Sequence, residues 1–215
     1  MGRSHRLGDF VNSNSRLRSQ GQNERMREER MEQIRQEALR QFATKGLFAT
    51  KIKDIADALG IAQGLIYHYY QSKEDIYVEL IGNALDKMNS GVSMLQAMDL
   101  RPHEKIRAAI EQFFYTIETS EDYIQTSRLI AQAANSVAIP EEARALIEEK
   151  RDMPYQAMAK IMVEGQREGT IIDGDPNELA IMFWASVSGL AVYKATRTNV
   201  QKIPDAQLLI RLSLK

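Results

Sequence analysis

The chain has 215 residues, more than a single small domain needs, and its 44% hydrophobic and 27% charged content is that of a globular protein with enough core to enclose a cavity. It contains no cysteine, which excludes disulfides, thiolate metal sites and a cysteine nucleophile, and is compatible with a cytosolic location. The net charge of −1 hides a division: residues 1–73 hold 13 Lys and Arg against 8 Asp and Glu, and residues 74–215 hold 15 against 21, so an anionic partner is expected at the N-terminal end.

Residues 1–23 are polar, rich in Ser, Asn, Gly and Arg, and lack periodicity, so they read as a disordered arm. Their arginines have no apolar run behind them, and no signal peptide is expected. From Arg25 to Lys45, Met31, Ile34, Ala38 and Phe42 recur at helical spacing, and Gly46 ends the helix. Thr50 is expected to cap a short second helix with Ile52, Ile55, Ala56 and Leu59 as its buried stripe, and Gly60 to supply a left-handed turn. A third helix is predicted from about Ala62 through Tyr70, and Ser72 caps a fourth that starts at Lys73 with Glu74 and Asp75 in its first turn.

The rest is helical as well. His103–Thr119 carries Ile106, Ile110, Phe113 and Ile117 on one stripe, and Asp122–Ser136 forms another helix. A long helix is predicted from Pro140 to about Glu168, kinked at Pro154. Pro176 opens a helix to about Arg197 whose apolar residues cover most of its circumference, and Asp205–Lys215 is the last, with Leu208, Leu209 and Leu212 on one side. The most apolar stretch, Ile181–Val192, falls short of the ~18 residues needed to cross a bilayer, and no membrane partner is expected.

Two short helices meeting at Gly60, backed by a longer helix, make a helix-turn-helix, whose second short helix lies in the major groove of DNA. Gln63 is the long hydrogen-bonding side chain at its start and the candidate for reading a base edge, beside the small Gly64. Tyrosine hydroxyls and an ammonium just after it suit phosphate oxygens, and Lys73 stands at a helix N-terminus.

The stretch ALRQFATKGLFATKIKDIADALGIAQGLIYHYYQSKEDIYVEL, residues 38–80, resembles the tetracycline-repressor (TetR) family of bacterial transcription regulators. It shares the glycine between helices one and two, the IA…LGI turn helix, the glycine in the recognition helix, the IYHYY block and the SKE that opens helix four. Lys51 stands where the family often has Thr or Ser, and Tyr70 where Phe is usual. The resemblance implies that Thr50, Tyr67, Tyr69 and Lys73 hold phosphates and that Gln63 and Gly64 face bases, while Tyr70 is core; Lys51 is a further candidate DNA contact. It also implies an all-α fold: a three-helix module at residues 24–72, then a larger helical domain at 73–215 that dimerises through its last long helices and encloses a small-molecule pocket.

Phe113, Phe114, Ile117, Tyr155, Met158, Met162 and Trp184 are the candidate lining of that pocket, because Met and aromatic side chains adapt to varied apolar ligands; ordinary core is the competing reading of each. Ala185, Ser186 and Gly189, with Leu208 and Leu212, are the candidate dimer face, where small residues let a second helix approach. The expected function is that of a bacterial, cytoplasmic, homodimeric repressor that leaves a palindromic operator on binding a small apolar effector. A helical scaffold, or an activator without small-molecule control, is the alternative. The three histidines, at 5, 68 and 103, are scattered, and without paired-His metal motifs or a phosphate-cradling loop no enzyme, metal or cofactor is expected.

Overall fold

The computed structural model describes residues 5–136, 138–197 and 202–215, with side chains from residue 21 onward. Among the described residues there are ten helices, and the β-structure is one isolated antiparallel bridge between Ile171 and Leu214. Helix α1 is His5–Ala49, with its ladder broken at Gly46, where φ is 81°. It therefore runs back through most of the stretch read as an aperiodic arm. Residues 5–45 contain no proline, and a helix anchored by burial from Ile34 onward propagates at little further cost.

Helices α2 (Ile52–Leu59) and α3 (Gln63–Tyr67) meet at Gly60, whose φ of 64° and ψ of 33° place it in the left-handed region. The amides of Gly60 and Ile61 close the end of α2 on the carbonyls of Asp57 and Ala56, at 3.2 and 3.0 Å. Helix α3 is shorter than expected: from His68 to Tyr70 the chain continues as a turn into α4 (Lys73–Ala97), and Ser72 caps α4 through a reciprocal pair with Asp75. Thr50 does not cap α2. Its side chain is buried and donates to the Gly46 carbonyl at 2.8 Å, so Lys51 takes the N-cap position, where the Asp54 carboxylate accepts from its amide at 3.2 Å.

The larger part consists of α5 (Pro102–Thr119), α6 (Glu121–Ala134), α7 (Glu141–Lys150), α8 (Met153–Arg167), α9 (Pro176–Thr196) and α10 (Ala206–Ser213). Pro154 does not kink one long helix; the chain breaks at Arg151–Asp152 and Pro154 lies in the first turn of α8, where its missing N–H costs nothing. Helix α9 is longer than the apolar stretch read from the sequence, and by length and composition alone could cross a membrane. Its Ala180, Phe183, Trp184, Val187 and Ala191 are packed in the protein core.

Two hydrophobic clusters hold the molecule together. One joins Ile34, Ala38 and Phe42 of α1, Ile52 and Ile55 of α2 and Ile66 of α3 to Ile76, Tyr77 and Ile81 of α4, and continues to Leu129 of α6 and Ala143 of α7. The small N-terminal module thus shares its core with α6 and α7, which couples its orientation to theirs. The second cluster fills the space between α5, α8, α9 and α10.

Candidate nucleic-acid interface

Ile66, fully buried, pins α3 against α1 and α2, and this fixes which of its residues face outward. Ala62, Gln63, Gly64, Tyr67 and His68 are exposed, with Tyr67 at 51%. The Gln63 amide donates from Nε2 to the Tyr67 hydroxyl at 3.4 Å, one helical turn on. Tyr69 is half-buried with its ring edge-on to His68 at 5.2 Å, and Lys51 is exposed at the head of α2. Gln63, Gly64, Tyr67 and Lys51 are therefore free to meet a duplex.

Two expected phosphate contacts are placed otherwise. The Thr50 hydroxyl is buried and spends its proton on Gly46, leaving none for a phosphate, which only accepts. Lys73 turns its ammonium to the C-terminal end of α1, donating to the carbonyls of Leu47, Phe48 and Thr50 at 2.8, 3.2 and 2.9 Å. All three ammonium protons are thereby used on carbonyls at a helix end, where a cation is favoured. The same device recurs: Lys105 donates to the Gln96 carbonyl near the end of α4, and Lys194 to those of Ile117 and Glu118 near the end of α5. Sequence spacing puts Lys73 at a helix start, but the partners 23 to 26 residues back are invisible to it.

Tyr70 is buried as expected. Burial, followed by the neighbouring Glu79 carboxylate and opposed by Arg35, pushes its hydroxyl up to about 12. Arg35 of α1 binds Glu28 at 2.6 Å, Glu32 at 2.8 Å and, across to α4, Glu79 at 2.8 Å. Sequence reasoning missed this tie. Glutamates three and seven residues before Arg35 were a visible signal, whereas Glu79 was not. It also missed Phe48, whose ring is 68% exposed just beyond Gly46, where helical periodicity no longer predicts facing.

The candidate pocket residues do come together. Phe114, Ile117, Met158, Met162 and Trp184 are buried, Phe113 is partly so, and Tyr155 is exposed at the edge. The rings of Phe113 and Trp184 lie 5.4 Å apart, those of Tyr155 and Trp184 6.3 Å, and the indole N–H donates to the Pro154 carbonyl at 3.1 Å. They form packed core. Two open clefts of about 500 and 550 Å³ lie elsewhere, one between α1 and the start of α6 and one between α8 and the start of α9.

The candidate dimer residues face outward. Ala185 and Gly189 are exposed on α9, Ser186 is half-buried with its hydroxyl on the Met182 carbonyl, and Leu208 and Leu212 are exposed on α10. Ile181, Met182 and Tyr193, which sequence reasoning left out, extend the same exposed apolar surface along α9. Met182 and Leu212 are 66% and 70% exposed. Apolar residues at this density outside a core form an exposed patch of the kind that marks an interaction surface.

A sequence profile described as bacterial regulatory proteins, tetR family, matches residues 34–80, the segment from the first buried residue of α1 into α4. The transcriptional repressor KstR2 of Rhodococcus jostii RHA1 is 26% identical over 151 residues, covering 70% of this chain and 72% of that protein. The KstR2 of Mycolicibacterium smegmatis is 35% identical over 77 residues, 36% of this chain and 38% of that protein. Among solved structures, the ketosteroid transcriptional regulator KstR2 of Mycobacterium tuberculosis superposes with a TM-score of 0.68 at 22% identity, covering 85% of this chain and 89% of that one. AibR, solved in complex with isovaleryl coenzyme A and operator DNA, gives 0.67 at 18%, covering 85% and 94%. With the glycine-turned helix pair, the exposed α3 and the helical body in one arrangement, residues 34–80 match the tetR family of bacterial regulatory proteins, and the chain shares the fold of these solved regulators.

Proposed function

We propose that this chain is a transcriptional repressor that acts as a homodimer on palindromic DNA and leaves it when a small apolar effector binds. Residues 24–72 are the DNA-binding module and 73–215 the regulatory and dimerisation part. It works by binding rather than catalysis, and in the cytoplasm, where a bacterial chromosome lies. The observation that carries the reading is the outward face of α3: Gln63, Gly64 and Tyr67 are exposed, while the opposite face is fixed by the buried Ile66. Gln63 and Gly64 meet base edges, and Lys51, Tyr67 and Tyr69 meet phosphates. Two copies are needed because one such helix contacts too few base pairs to choose a site in a genome, and the apolar face of α9 and α10 supports the pairing.

The effector opens the core around Trp184, between the first turn of α8 and α9. The side chains there are apolar and aromatic, and Tyr155 stands at the solvent edge. Those rings pack against one another, so the effector selects a conformer that has parted them, and that conformer spaces the recognition helices wrongly for DNA. A coupling of ~1–3 kcal/mol changes operator affinity about 5- to 150-fold. AibR, whose structure includes isovaleryl coenzyme A, and the fatty acid degradation regulator FadR of Bacillus halodurans share the fold. The closed packing favours a second reading, regulation without a small molecule.

The single tryptophan separates the two, since Trp184 reports on the site directly. Apolar carboxylic acids and acyl thioesters titrated against the protein should change its fluorescence, and those that do should weaken operator binding by the factor by which operator weakens theirs. Compounds that perturb Trp184 and leave operator affinity unchanged would favour the second reading.

A further inference from the structure

We propose that Tyr67 determines specificity by restricting Gln63 to adenine, an inference that rests on the DNA-binding reading above. The two side chains stand one turn apart on the exposed face of α3, and the Gln63 Nε2 donates to the Tyr67 hydroxyl at 3.4 Å. A primary amide has two N–H donors and one carbonyl acceptor. With one N–H held by Tyr67, Gln63 offers the duplex one donor and one acceptor side by side. Adenine presents the complement in the major groove, N7 as acceptor and N6–H as donor. Guanine presents two acceptors, N7 and O6, and would need both amide protons. A free glutamine turns to supply them; one tied to Tyr67 leaves a guanine acceptor desolvated and unpaired.

Tyr67 keeps its own proton. Phosphate oxygens only accept, so the hydroxyl donates to the DNA backbone while it accepts from Gln63. Each bond polarises the next, linking the contact that sets register to the contact that reads a base. Ile66, fully buried next door, holds the turn that keeps the two side chains on one face.

The test uses the full chain and a library of random-sequence duplexes, from which wild type, Tyr67→Phe, Gln63→Ala and the double variant each select binders at one fixed salt concentration. Tyr67 is half exposed, so phenylalanine is accommodated, and circular dichroism verifies the fold of each variant. Wild type should select adenine at one position of each half-site. Tyr67→Phe should lower the adenine-over-guanine ratio there about tenfold and leave the other positions unchanged. Gln63→Ala should abolish the preference at that position, and adding Tyr67→Phe should change it no further. A Tyr67→Phe selection that keeps the full ratio, or affinity lost equally on every sequence, would overturn the proposal, as would a base other than adenine at the position that Gln63→Ala relaxes. If wild type enriched no sequence at all, the DNA-binding reading would itself fall.

Discussion

Replacing Lys73 by alanine distinguishes a phosphate contact from a structural tie. The substitution removes an ammonium that donates to three carbonyls at the end of α1, at 2.8, 3.2 and 2.9 Å. Hydrogen bonds to a charged group contribute ~1.5–3 kcal/mol each when the partner is left unsatisfied. Water replaces part of the loss because Lys73 is only half-buried, and the three bonds share one charge, so we expect about 2–3 kcal/mol in total. For a chain of this length that lowers Tm by about 4–12 °C. The assay is thermal unfolding at fixed protein concentration, paired with operator affinity measured across a salt series. Stability should fall while the salt slope stays near wild type. A wild-type Tm together with a slope reduced by about 1 would refute the tie and return Lys73 to the phosphate backbone.

Three further outcomes follow from the geometry. A Cβ at Gly165 would lie 2.2 Å from Ile171 Cδ1, so Gly165→Ala should cost about 1–3 kcal/mol in urea denaturation, and a neutral result would mean that α8 does not pack on Ile171 as described. A Cβ at Gly189 meets nothing within 4 Å in one copy, so Gly189→Glu should leave the fold intact and yield monomers that bind operator poorly; sedimentation showing intact dimers would move the interface off this face of α9. Tyr70 is held neutral in the folded state, with its hydroxyl pushed up to about 12 against ~10 unfolded, so its contribution is fully present below pH 10 and is lost between pH 10 and 12. Tyr70→Phe should remove on the order of 2 kcal/mol of that alkaline decline, measured by denaturation at both ends of the window.

The helix-turn-helix was legible because its determinants are local. Gly60 supplies the left-handed turn, and Ile52, Ile55 and Ala56 form the buried stripe at the spacing that the sequence displays. The outward placement of Gln63 and Gly64 follows from the burial of Ile66, three and two residues further along α3. What was not legible depends on partners distant in sequence or on choices between equivalent local readings. Thr50 and Lys73 are residue types that suit phosphate, and both are instead committed to carbonyls around Gly46, where α1 ends. Pro154 can kink a helix or begin one, and only the break at Arg151–Asp152 decides. Helix α9 is apolar nearly all round: Ala180, Phe183, Trp184, Val187 and Ala191 are buried in this chain's core while Ile181, Met182 and Tyr193 are exposed, and periodicity cannot say which residues belong to which.

Selecting genomic fragments with the purified protein, alongside the Gln63→Ala variant, tests whether α3 reads DNA sequence. Wild type should enrich a palindrome whose half-sites lie about one helical turn apart, and Gln63→Ala should relax the choice at one position of each half-site. Fragments bound without common sequence, or a Gln63→Ala variant that enriches the same palindrome with the same base preferences, would contradict it.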